Sequence, residues 1–101
     1  MPAYCISDVR DIVDEAGLET YRDRVRATVE KYGGRYLFVG GRFEVVEGGW
    51  HPTFPVLIEF PSLKQAHQWY GSDEYSELKE LRLRALRSDM VFMEGLIDGF
   101  R

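Results

Sequence analysis

Arg82, Glu59 and His51 are the side chains whose types and positions could do chemistry in this chain. Arg82 falls on the apolar side of a helical pattern, where Tyr75, Leu78, Arg82 and Ala85 follow i, i+3, i+7, i+10 spacing. A guanidinium keeps its proton, so burying it calls for a carboxylate, a row of carbonyls or an anionic ligand. In a functional role Arg82 clamps a carboxylate or stabilises an enolate-like charge. In a structural role its stem packs while its head reaches water or pairs with Glu59 or Asp89. Glu59 interrupts the apolar run VLIEF. A carboxylate there has a raised pKa unless paired, which suits a general acid or base; pairing with Arg35 or Arg82 is the plainer alternative. His51, next to Trp50 in a turn, is a candidate base or haem ligand, weighed against a solvated loop histidine.

Four further residues are candidate ligand contacts. Arg35 follows Gly33-Gly34 at a strand start, from which it reaches a sheet rim or makes a surface salt bridge. Trp69, Tyr70 and Tyr75 could line a pocket for a flat ligand, although aromatics at helical spacing are more often core. His67, beside the same stripe, reads as a partly buried packing residue. His51 and His67 are the only histidines, and no HxH, HxxxH or Cys/His cluster appears, so no metal site is expected. The glycine pairs lack the spacing of a dinucleotide or phosphate loop, so no nucleotide cofactor is expected either.

The elements that must position these residues can be read from periodicity. A strand is predicted over 3–9, with Tyr4 and Ile6 on one side and Cys5, Ser7 and Val9 on the other. A helix follows over about 15–32, with Leu18, Tyr21, Val25, Val29 and Tyr32 inward. Gly33-Gly34 ends it. Residues 35–47 read as one long strand broken by Gly40-Gly41, then a turn through Gly48–Pro52, then a strand over 54–60. Ser62 and Gln65 form a capping box opening a helix that carries Leu63, Ala66, Trp69 and Tyr70 inward. Another helix over 74–87, capped by Ser72 or Asp73, and a strand over 89–95 complete the pattern; the tail IDGFR reads as a frayed end.

The order β-α-β-β-α-α-β is the split βαβ, ferredoxin-like arrangement: an α+β fold with an antiparallel sheet and a second crossover built from two helices. Helices can cover one face of such a sheet, yet both phases of its strands are apolar. A bare apolar face of that size calls for a second copy, so a homodimer is predicted. The 101 residues make one domain, 1–101. The charge balance of 13 basic to 17 acidic residues argues against nucleic acid and against an anionic membrane surface. No apolar run long enough to span a bilayer and no secretory signal appear. The single cysteine, Cys5, suits a reducing cytoplasm and reads as inert packing.

On YGGRYLFVGG at 32–41, EVVEGGW at 44–50, IEFPS at 58–62, WYGSDEY at 69–75, Leu81-Arg82 and Glu94-Gly95, the chain resembles the family called domain of unknown function 1330. That family lies within the dimeric α/β-barrel superfamily, and the resemblance covers nearly the whole chain. It implies a ferredoxin-like protomer, a dimeric barrel of two sheets and a pocket between sheet and helices in each subunit. It implies no assigned reaction. The wider superfamily includes cofactor-free monooxygenases, haem-degrading enzymes, isomerases, dehydratase-like enzymes and stress-response barrels.

The functional expectation is a cytoplasmic homodimer doing cofactor-free acid-base chemistry on a small carboxylate or an enolisable metabolite, aromatic ones included. Arg82 would hold the anion, Glu59 or His51 would move the proton, Arg35 and Tyr70 would touch the substrate, and Trp69 with Tyr75 would shape the wall. The competing expectation is a non-catalytic barrel, either a ligand sensor or a structural dimer; a weaker one is an oxygenase or haem-handling protein. An enzyme should show convergent ionisable groups, whereas a sensor should carry a cavity without a base.

Overall fold

A computed structural model of the chain describes residues 1–96. The reading of the tail, and the last residues of the chain generally, lie outside the described residues. The elements run β1 (Ala3–Ile12), α1 (Glu15–Lys31), β2 (Arg35–Val39), β3 (Pro55–Phe60), α2 (Leu63–Tyr70), α3 (Asp73–Ala85) and β4 (Leu86–Glu94). The four strands form an antiparallel sheet in the order β2-β3-β1-β4, which is the ferredoxin-like topology.

Local chemistry sets the boundaries. Asp14 caps α1, its carboxylate accepting from the Gly17 amide at 3.1 Å. At the far end Gly33, with φ of 81°, turns the chain out of the helix as a side chain would resist doing. Ser62 caps α2 by accepting from Gln65, and Ser72 caps α3 by accepting from Tyr75. β4 starts directly where α3 stops, because the Ala85 carbonyl accepts from both Val13 and Asp14 and draws residues 86–88 into register with β1. That pairing lengthens β1 to Ile12 and moves the start of β4 forward to Leu86, beyond the spans expected from periodicity.

The predicted long strand over 35–47 is not there. β2 ends at Val39, and 40–54 carry no strand. Two physical reasons coincide. Gly40 and Gly41 both take positive φ, 66° and 90°, which swings the chain off the strand direction. β2 is also the sheet's edge, and its sole neighbour β3 begins only at Pro55, one residue before Val56, the partner of Val39, so later residues have nothing to pair with. Gly40 closes the turn by donating to the Pro55 carbonyl at 2.7 Å.

The irregular segment is pinned at its end by Asp8. This carboxylate, only 5% exposed, accepts from the amides of Thr53 at 2.9 Å and Phe54 at 2.7 Å. Asp8→Ala should leave both amides without a partner and lower stability by about 2–3 kcal/mol, read from urea unfolding. Asp8→Asn, which keeps one acceptor oxygen, should recover part of that loss.

The core lies between the sheet and the helix layer, built on Cys5, Ile58, Phe60, Val25, Val29 and Trp69. Strand alternation therefore sends Tyr4, Ile6, Leu57, Glu59, Val91 and Met93 to the opposite face. No element among the described residues covers that face, and together they are only 17 Å thick. Val91 and Met93 stand more than half exposed. Polar groups flank this apolar strip: Arg35 with Glu59 at one end, Arg10 with Asp89 at the other.

Candidate functional site

A cleft of about 540 Å³ opens between the sheet and α1. Its floor comes from alternate residues of the strands, Ser7, Val56, Ile58 and Met90, whose phase points toward the helices. Leu18, Tyr21 and Val25 of α1 form the opposing wall, one helical stripe at i, i+3, i+7 spacing. Trp69 from α2 closes the interior end, with Phe38 and Phe54 at the rim. Phe54 can sit there because Gly40 has no side chain: a Cβ on Gly40 would lie 2.5 Å from the phenylalanine ring.

Arg82 lines this cleft from α3. It is only 6% exposed, and its Nη2 is buried with no hydrogen-bond partner among the described residues. The predicted stripe is seen in full, with Tyr75, Leu78, Arg82 and Ala85 all buried. Neither structural partner considered for Arg82 is used: Glu59 pairs with Arg35, and Asp89 with Arg10. A buried guanidinium with no counter-charge among the described residues is costly and is held in place by the packing of its helix. Its positive field is shared by four groups around it, Cys5, Tyr21, Tyr36 and Tyr75, each of whose acidity it favours.

Burial outweighs that field. The Cys5 thiol is pushed up to about 12 by desolvation, so it is an inert packing group. Desolvation likewise pushes the Tyr75 phenol up to about 12, and raises Tyr21 and Tyr36 well above the ordinary phenol range. Tyr21 and Tyr75 share a hydrogen bond of 2.8 Å between their hydroxyls. Either hydroxyl can be the donor, with Tyr21 on the cleft wall and Tyr75 wholly buried behind it. Trp69 is held by its indole N–H, which donates to Thr28 Oγ1 at 3.0 Å, and by its ring against Tyr75 at 4.2 Å.

The structure brings together only part of the predicted constellation. Arg82 and Trp69 line the cleft, and Tyr75 backs it through Tyr21. Glu59 does not share a site with Arg82: between inward Ile58 and Phe60, it points to the far side of the sheet, where Arg35 Nε donates to it at 2.8 Å. Arg35 is on that same far side, exposed. His51 is exposed in the irregular 40–54 segment and does not line the cleft. Tyr70 packs against Trp69, Tyr75 and Phe92 instead of facing the cleft. His67 is exposed, its ring edge-on to Phe92 at 5.1 Å.

Sequence reading missed Tyr21, Tyr36, Arg22 and Arg26 as cleft residues. Tyr21 carried a signal, a hydroxyl on the inward face of α1. The arginines carried none, because a helix face toward water and one overlooking a cleft have the same periodicity. Among the described lining residues the charged groups are Arg22, Arg26 and Arg82, with no carboxylate and no imidazole. No cluster of three or more metal-ligating side chains is found among the described residues, and no helix there is long and apolar enough to cross a membrane.

Among solved structures, the fold is similar to a protein of unknown function from Rhodopseudomonas palustris, with a TM-score of 0.75 at 18% identity, over 95% of this chain and 83% of that one. It is also similar to a dimeric ferredoxin-like protein of unknown function from Jannaschia sp., with a TM-score of 0.68 at 8% identity, over 94% of this chain and 100% of that one. A protein from Nitrosomonas europaea, provisionally assigned as an antibiotic biosynthesis monooxygenase, matches with a TM-score of 0.54 at 19% identity, over 96% of this chain and 100% of that one. At such identities the likeness speaks for the fold alone. No curated protein matches in sequence. The ferredoxin-like topology and the motif-bearing segments around the cleft agree with a family model that matches residues 2–96, and the chain belongs to that family, Domain of unknown function (DUF1330).

Proposed function

We propose that this protein binds a small organic anion with a flat, apolar body in the cleft between sheet and helices. One observation carries the reading: an arginine that lines an apolar cleft is nine-tenths buried, its Nη2 has no partner among the described residues, and no described lining residue is an acid. A carboxylate would supply the missing charge and acceptor, and Tyr21 stands by to donate a second hydrogen bond. Phe38, Phe54 and Trp69 suit an aromatic or conjugated body.

The acid-base reading loses its base, because Glu59 and His51 are elsewhere. A cavity with a cation and donors but no base favours the binding or sensing role over proton abstraction. The Tyr21–Tyr75 pair favours one catalytic alternative, stabilisation of a substrate that arrives already ionised. The working unit in this proposal is a homodimer that joins the open sheet faces, as a dimeric structural neighbour supports. A reducing cytoplasm suits its one buried thiol.

Benzoate and benzamide, which differ in charge but hardly in shape, test the reading by calorimetry or Trp69 fluorescence. Benzoate should bind and benzamide should not. Binding should be flat from about pH 6 to about pH 9, because arginine stays charged and the raised tyrosines stay neutral throughout. It should weaken only below about pH 4–5, where benzoate itself takes up a proton. Equal binding of the neutral amide would overturn the proposal, and a bell-shaped profile near neutrality would reinstate a titrating base.

A further inference from the structure

We infer that the cleft is built for two separated negative charges, and that its ligand class is a dicarboxylate with a flat or apolar spacer. This deepens the anion-binding proposal and rests on it. The argument is one of charge balance within a single cavity. Three arginines line the cleft and no acid does, among the described residues. Arg26 is already engaged, its Nε donating to Glu30 at 3.3 Å. Arg82, at the buried end, has a nitrogen without a partner. That leaves Arg22, which lies one helical turn before Arg26 on α1 and makes no ion pair among the described residues.

A monoanion seated on Arg82 would neutralise the inner charge and leave Arg22 untouched. The two cations differ in setting. Arg82 is enclosed by Tyr21, Tyr36, Trp69 and the sheet, whereas Arg22 is exposed at the mouth. Apolar side chains, Leu18, Val25 and Phe54 among them, make up most of the remaining lining. A rod with a charge at each tip and an apolar middle suits a cleft with one buried cation, one exposed cation and apolar walls. A compact dianion such as phosphate does not, since it would bring both charges to one guanidinium and leave one uncompensated in an apolar setting.

Arg22 also borders a second cavity of about 470 Å³, which shares Val9, Leu18 and Phe54 with the first. Arg10, Asp11 and Glu15 line that neighbouring space, which with Arg22 holds two cations and two acids, whereas the described charged groups of the cleft are cations alone. A second carboxylate is therefore drawn to the cleft side of Arg22.

The test uses the full chain with benzoate, terephthalate and monomethyl terephthalate, whose ester keeps the diacid's shape but carries one charge. Terephthalate should bind wild type about fivefold more tightly than its half-ester, the size expected of a largely exposed ion pair. Arg22→Ala should erase that advantage by weakening terephthalate about fivefold more than benzoate, and Arg22→Lys should restore most of it. Added salt should shrink the same advantage, because the outer charge is exposed. Arg82→Met should weaken all three ligands by roughly a hundredfold. If the half-ester and the diacid bind wild type alike while benzoate still depends on Arg82, the two-charge inference falls and the anion-binding proposal stands. If none of the three binds, both fall together.

Discussion

Replacing Arg82 with methionine should make the ligand-free protein more stable by about 1–3 kcal/mol, the range seen when buried charges give way to packed apolar groups. The physical reason is the orphaned Nη2. Folding strips water from that nitrogen and returns no acceptor among the described residues. Methionine keeps an unbranched, apolar side chain against Leu78 and Ala85 while removing the charge. The same substitution should weaken anion binding by roughly a hundredfold, so stability and function would move in opposite directions at one position. Urea or thermal unfolding of wild type and Arg82→Met, each with and without benzoate, checks this. Benzoate should stabilise wild type by mass action and leave the variant unchanged. Arg82→Lys serves as the control, since it retains a buried cation and should gain no stability. A destabilised Arg82→Met would mean that the guanidinium supports the fold, and the case for an empty anion seat would collapse.

The second large effect concerns the open face of the sheet. Tyr4, Ile6, Leu57, Val91 and Met93 form an apolar strip there, flanked by Arg35–Glu59 and Arg10–Asp89. An apolar centre with a polar rim is how protein interfaces are commonly organised. Placing Asp at both Ile6 and Val91 would bury two charges per protomer against an identical surface. The expected results are a wild type that sediments as a dimer and a double variant that sediments as a protomer at the same concentration. Each buried carboxylate should weaken association by roughly a hundredfold or more. The protomer should keep its circular dichroism, because both side chains point away from the core. Wild type sedimenting as a protomer at micromolar concentration, or a double variant that remains dimeric, would remove this face from consideration.

The helices and their limits were legible in the sequence because short-range chemistry decides them. Asp14, Ser62 and Ser72 cap where a serine or aspartate precedes an amphipathic run, and Gly33 stops α1 with a positive φ. Strand length was harder to read, because a strand needs a neighbour. Residues 42–47 alternate well enough to pair, but lie past the end of β3 on an edge strand. β1 and β4 each grew for the converse reason, since each found the other.

The amino-acid order alone determined the topology, the apolarity of both sheet faces and the burial of Arg82, all of which follow from periods of 2 and 3.6 in side-chain character. Only the tertiary structure decided which charges meet. Glu59 is one residue from inward-facing Ile58 and Phe60, and the pleat sends it through the sheet to Arg35, away from Arg82. Arg22 and Tyr21 reach the same cleft as Arg82 because α1 packs beside α3, a long-range juxtaposition that no local spacing encodes. Periodicity assigns each residue a side, whereas a site depends on how different elements pack their sides together.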